Sequence, residues 1–170
     1  MADILGSITN SRNLLEKIAS KIPGFSGYLE KGTRRSADKM LRDTIVSRYG
    51  DQLSRISTLQ AQLVESGGIE YLDELQGAAT RLQRFIDMVK TAAYGYAGFF
   101  DAVKVKEKEL AKLYAFDNAL LENADKIAGL VDAVEAAISG EGLPAAIKAL
   151  TAAIAECNTT FERRREVLVE

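Results

Sequence analysis

Lys31, Arg34, Arg35, Lys39 and Arg42 crowd the entry to one long helical pattern. Positions 35, 39 and 42 are spaced by four and three, which puts them on one helix face, with Lys31 and Arg34 just beside them. Such a set can hold a phosphate, an anionic lipid surface or nucleic acid. It can equally be a solvated face neutralised by Glu30, Asp38 and Asp43, with Asp38 and Arg42 as an ordinary i,i+4 pair. The net charge of −2 disfavours nucleic acid as the partner. A second candidate is Tyr94-Gly95-Tyr96-Ala97-Gly98-Phe99-Phe100, unlike the rest of the chain in density of rings and glycines. Tyr94, Tyr96, Phe99 and Phe100 can offer an aromatic contact segment to an apolar ligand or a protein, or pack on one another at a helix corner. The segment lacks G-x-G-x-x-G and P-loop spacing, so it is not read as a nucleotide site.

The residues for most catalytic chemistry are missing. The chain has no histidine, the commonest general base and transition-metal ligand. Its one cysteine, Cys157, excludes an internal disulfide and a Cys/His zinc site. Cys157 falls on an apolar stripe and is expected to be a small buried core residue. Asp73, Glu74, Glu107, Glu109, Asp117 and Glu122 are carboxylates that a helical bundle can turn inward, but the di-iron arrangement of such bundles needs Glu-x-x-His pairs. Helix-surface solubility is the expected role. Arg163-Arg164-Arg165 suits the C-terminal end of a helix through its dipole. No metal, no cofactor and no enzymatic activity are expected.

The elements that must position these groups are all helical. Ile4, Ile8, Leu15, Ile18 and Ile22 recur at steps of three, four or seven, predicting a helix over 1–22 that Pro23-Gly24 stops. Leu41, Ile45, Tyr49, Leu53, Ile56, Leu59 and Leu63 predict a second helix over 33–66, bent but unbroken at Gly50 and closed by Gly67-Gly68. Leu72, Leu75, Ala79, Leu82, Ile86 and Val89 predict a third over 69–93. The segment Tyr94–Phe100 then makes a turn, or an irregular piece of one longer helix. Leu110, Leu113, Leu120, Ala124, Ile127, Val131, Val134 and Ile138 predict a fourth over 101–139, with a shallow-angle heptad seam. Asp117 lies on that seam and must be hydrogen-bonded or rotated out, with Phe116 taking over the packing. After Ser139–Pro144, with the proline in the first turn, Ile147, Leu150, Ile154, Cys157, Phe161 and Leu168 predict a fifth helix over 144–167. Short connections favour antiparallel neighbours. The expected fold is all-α, one domain over 1–170: an antiparallel bundle of four long helices plus a shorter N-terminal one.

No stretch reaches the ~20 apolar residues that cross a bilayer, and the start lacks the form of a signal peptide. With a lone cysteine, the expected location is the cytoplasm. The block Ile22-Pro23-Gly24-Phe25-Ser26-Gly27-Tyr28, continued by Lys31, Arg34-Arg35, Ala37-Asp38-Lys39 and Leu41-Arg42, resembles a block of uncharacterised prokaryotic helical proteins. The resemblance implies a cytoplasmic prokaryotic protein and no particular activity. Charge is uneven: residues 1–50 hold nine Lys/Arg against five Asp/Glu, while 51–170 hold thirteen against nineteen. Together with the long stripes, this points to a non-enzymatic interaction or scaffolding bundle that binds another protein or itself. The alternative is a peripheral membrane or lipid-binding bundle, using the amphipathic N-terminal helix with Arg12, Lys17 and Lys21 and the basic start of helix two.

Overall fold

The computed structural model describes residues 13–26, 34–102 and 107–169, with side chains over 13–26, 39–91 and 114–163. Every regular element among them is helical: α1 over 13–21, α2 (Arg34–Ser66), a 3-10 turn (Ile69–Tyr71), α3 (Leu72–Ala102), α4 (Glu107–Ala137) and α5 (Leu143–Val169). The all-α class follows from high helix propensity and from stripes of 3.6-residue period.

Those stripes are the core. Leu41, Ile45, Tyr49, Ile56, Leu59 and Leu63 of α2 are buried, as are Leu75, Ala79, Leu82, Phe85, Ile86 and Val89 of α3. Leu120, Ala124, Ile127, Val131 and Val134 of α4 meet Ile147, Leu150, Ile154, Cys157 and Phe161 of α5 in the same cluster. Ile18, Ile22 and Phe25 at the N-terminal end belong to it too. Ile4, Ile8, Leu110, Leu113 and Leu168 lie outside the residues whose side chains are described.

Two chain reversals use glycine at positive φ. Gly67 (φ +83) follows α2, and the Gly68 amide donates to the Leu63 carbonyl at 2.8 Å. This is the six-to-one bond of a Schellman ending, which satisfies a carbonyl the helix leaves open. A Cβ at Gly68 would come within 2.9 Å of Leu63 Cδ2, so the second glycine is there for close approach. Gly24 (φ +84) turns the chain after α1.

α2 packs on α3, α4 on α5, α2 on α4, and α3 on α5. Side-chain bonds fix the directions. Gln60 pairs with Gln76 and Tyr49 with Phe85, so α2 and α3 are antiparallel. α4 and α5 pack on each other across the short connection 138–142, with Lys126 reaching Glu156, so they are antiparallel. Tyr49 reaches Leu120 and Arg55 reaches Ala128, so α2 and α4 run side by side in the same direction. The bundle is therefore two antiparallel hairpins laid next to each other with parallel helices in contact. Successive helices α3 and α4 occupy opposite corners. Antiparallel neighbours hold within each hairpin and not between hairpins.

Several sequence-based boundaries shift, most of all around the third helix. The third helix does not stop at residue 93: its backbone is helical through Tyr94–Phe100 to Ala102. Extending a formed helix adds one bond per residue ordered, so glycines and rings slow a running helix without ending it. The third helix begins at Leu72 rather than 69, because Ile69–Tyr71 forms a 3-10 turn, with the Tyr71 amide on the Gly68 carbonyl. Asp101 and Ala102, expected to open the fourth helix, continue the third, and the fourth is described from Glu107. Gly50 interrupts nothing: α2 is continuous across it.

Candidate functional site

Of the basic set, the side chains of Lys39 and Arg42 are described, and these two do not share an open face. Lys39 is exposed, but Arg42 is buried at 7 % exposure. Arg42, Ile45 and Tyr49 are spaced by three and four, so Arg42 belongs to the row that faces the core. It is engaged there by a partner. Arg34 and Arg35 lie in the first turn of α2 with side chains outside the described set, and Lys31 lies outside the described residues. Tyr94, Tyr96, Phe99 and Phe100 occupy α3, and their side chains are likewise outside the described set.

The carboxylates whose side chains are described do not converge. No group of three Cys, Asp or Glu among the described residues can hold a metal ion. Asp117 is buried at 2 % exposure on the α4 seam and is engaged by a partner, while Phe116 beside it is half-buried. The seam thus keeps its register and accommodates the acid by pairing it. Asp73, Glu74 and Glu122 face solvent. Glu107 and Glu109 lie outside the residues whose side chains are described.

At mid-bundle lies a polar contact that hydropathy reading passes over. The Tyr49 hydroxyl donates to the Leu120 carbonyl at 2.6 Å and lies 3.4 Å from Cys157 Sγ. Its proton being committed to Leu120, the thiol is left to donate to the phenol oxygen. The Tyr49 ring meets Phe85 edge-on at 4.7 Å, and Phe85 meets Phe161 at 6.0 Å. One side chain of α2 therefore touches all three other bundle helices. Burial pushes the Cys157 thiol up to about 11, and burial together with the nearby thiol pushes the Tyr49 phenol above its ordinary range. Both stay protonated at neutral pH, which makes this a structural layer and not a nucleophile. Cys157 is a buried core residue, as its stripe predicts.

α1 is tied across the α2–α4 pair. The Lys21 ammonium donates to Asn118 Oδ1 at 2.8 Å and to Glu122 at 3.4 Å, and Asn118 donates to the same carboxylate at 3.1 Å. Arg48 of α2 donates to the Lys21 carbonyl, one of those left open at the end of α1. From Ile18 onward the apolar stripe of this helix is spent on the core, and that part is not available to a membrane surface. Arg12 lies outside the described residues.

On the outer side of the α2–α3 hairpin a groove of about 630 Å³ stays open. Leu53, Ala79 and Met88 are apolar points along it, and Ser57, Gln60, Gln76, Thr80 and Gln83 line it with amides and hydroxyls. Gln60 Nε2 donates to Gln76 Oε1 across it at 2.6 Å. Arg84 and Asp87 are its ionisable groups, and Gln83 donates to Asp87 at 2.9 Å. Amides, hydroxyls, a guanidinium and a carboxylate together offer hydrogen-bonding capacity along its length. The sequence signal for it was weak, because Gln and Thr on an outer helix face are the ordinary composition of solvated helices.

No helix among the described residues is long and apolar enough to cross a membrane. No protein-family model matches the chain, and no curated protein or solved structure matches it either.

Proposed function

We propose that the chain is a non-enzymatic protein-interaction bundle whose contact surface is the outer face of the α2–α3 hairpin. The observation that carries this reading is the open groove there, lined by amide and hydroxyl side chains while the interior closes around the Tyr49–Phe85–Phe161 layer. Glutamine and threonine offer donors and acceptors to a polar partner surface at low desolvation cost. Leu53 and Met88 supply the apolar contact that directional bonds need beside them. The partner is another protein or a second copy of this chain.

Filling the groove tests the reading. Thr80→Trp and Gln83→Trp put a large side chain on exposed positions lining it, and Ala152→Trp puts the same ring on an exposed position of α5. Light scattering reports self-association, and quantitative proteomics of crosslinked complexes from the native host reports a heterologous partner. The expected result is an assembly lost with the α2–α3 variants and kept with Ala152→Trp. Equal loss or equal retention across all three overturns the surface, and a monomer with no specific crosslinked partner overturns the role.

A further inference from the structure

We propose that α1 is a releasable strap: residues 13–26 dock on and leave the α2–α4 seam as one unit while α2 to α5 stay folded, and the occupant that fits the bared seam is α1 itself.

Three observations carry this. First, among the described residues, direct ties join the four long helices to one another without passing through α1. Tyr49 joins α2 to α4 and α5 through Leu120 and Cys157 and to α3 through Phe85. Arg55 joins α2 to α4 through Ala128, Asp132 and Glu135. All survive the loss of α1. Second, among the described residues α1 is attached by Ile18, Ile22 and Phe25 buried, by Leu15 and Ala19 packed half-buried beside them, and by a polar clasp of Lys21 with Asn118 and Glu122, backed by Arg48. The clasp is partly wet, the Lys21 and Glu122 side chains being 23 % and 60 % exposed, so salt and charge reversal reach it. Third, the unit has a geometric end. Lys21 lies beside Arg48 whereas Gly24, at φ +84, lies against Met40. α1 thus runs antiparallel to the parallel α2–α4 pair, and Gly24 turns the chain so that Phe25 closes the unit against the core. A single short amphipathic helix draws its helicity from the face it packs on, so undocking and unfolding of α1 are one event.

The seam reads a particular pattern, apolar at i, i+4 and i+7 (Ile18, Ile22, Phe25) with a cation at i+3 (Lys21) that meets Asn118 and Glu122. This holds whether or not the α2–α3 groove binds a partner, because a separate face is involved.

Native-state hydrogen exchange on the full-length chain, read by mass spectrometry over added urea, tests it. Amides of residues 13–26 are expected to exchange through an opening nearly independent of urea, while those around Tyr49, Leu120 and Cys157 exchange only with global unfolding. Lys21→Glu sets a carboxylate against Glu122 and is expected to speed α1 exchange roughly tenfold, Ile18→Ala by roughly a hundredfold, with core exchange unchanged in both. A fluorescent peptide of residues 13–26 is expected to bind Lys21→Glu more tightly than the wild type, whose seam is filled. Should α1 and the core share one protection level and one urea slope, or should both variants speed the core as much as α1, the strap is overturned. No binding of the peptide to the opened variant overturns the seam as its acceptor.

Discussion

Tyr49 is the residue on which most of the interior converges, and two outcomes follow from its surroundings. Tyr49→Phe keeps the ring on Phe85 and removes the bond to the Leu120 carbonyl. That carbonyl keeps its helical partner, so the expected cost is about 1 kcal/mol by urea denaturation, the ordinary net worth of one hydrogen bond. The second concerns alkali. Burial raises the Cys157 thiol from 9.0 to about 11, and the Tyr49 phenol is raised as well. A raised acid is protonated in the fold where the unfolded chain has already ionised. Its contribution is therefore complete below pH 9 and drains away as pH climbs from 9 to 11, by about 2–3 kcal/mol for the thiol over that span. Above 10 the phenol adds a loss of the same sign. Stability measured against pH should be flat near neutrality and fall from about pH 9, and Cys157→Ala should remove the fall between 9 and 10 while leaving the later one. A profile of Cys157→Ala parallel to the wild type would contradict the buried thiol. At this scale the sequence placed Cys157 in the core by its stripe but was silent on Tyr49, since a tyrosine on an apolar row does not reveal which carbonyl its hydroxyl will meet. It grouped Arg42 with its neighbouring cations, whereas the spacing to Ile45 and Tyr49 places it on the buried row.

Helix identity was legible because stripes of period 3.6 span every element, and helix ends were legible where a backbone requirement enforces them. Gly67 is such an end. Its φ of +83 and the Gly68-to-Leu63 bond are the local chemistry of a stop. Gly67→Ala meets no neighbouring atom within 4 Å, so its cost is conformational alone. It should lower stability by about 1–2 kcal/mol with an unchanged urea slope. Gly50→Ala, at a helical glycine with equally open space, should instead raise stability by up to about 1 kcal/mol. The opposite signs of two Gly→Ala changes in or after one helix check the φ assignment against any general effect of adding a methyl. Tyr94–Phe100 shows why other ends were not legible. Its glycines and rings are poor helix formers, but weak propensity summed over seven residues does not match the cooperativity of a helix already running from Leu72. The candidate groove was the least legible feature at this scale, because its Gln and Thr residues acquire meaning only when α2 and α3 are set side by side.

Topology is a property of the whole molecule that helical periodicity does not encode. A stripe says that a helix is buried on one side, and short connections say that α2 pairs with α3 and α4 with α5. Neither says how one hairpin is set on the other. In the alternating square that short loops suggest, α2 and α4 stand on a diagonal, while in this bundle they touch along their length. The arrangement turns on contacts between residues some eighty positions apart, of which Arg55 is the clearest. From α2 it donates to Asp132 and, at 3.5 Å, to Glu135, and it lies 3.4 Å from the Ala128 carbonyl of the same helix. Arg55→Glu places a carboxylate against two others and should cost about 1 kcal/mol, the scale of a partly exposed pair with its sign reversed. Adding Asp132→Arg should return roughly half of that, because the reversed pair is attractive again while Glu135 shifts from partner to bystander. The coupling should shrink in molar salt. On a diagonal, Arg55 and Asp132 would be separated by the core and the two changes would simply add. A double-mutant cycle on urea midpoints, run at low and high salt, thus distinguishes parallel hairpins in contact from the alternating square.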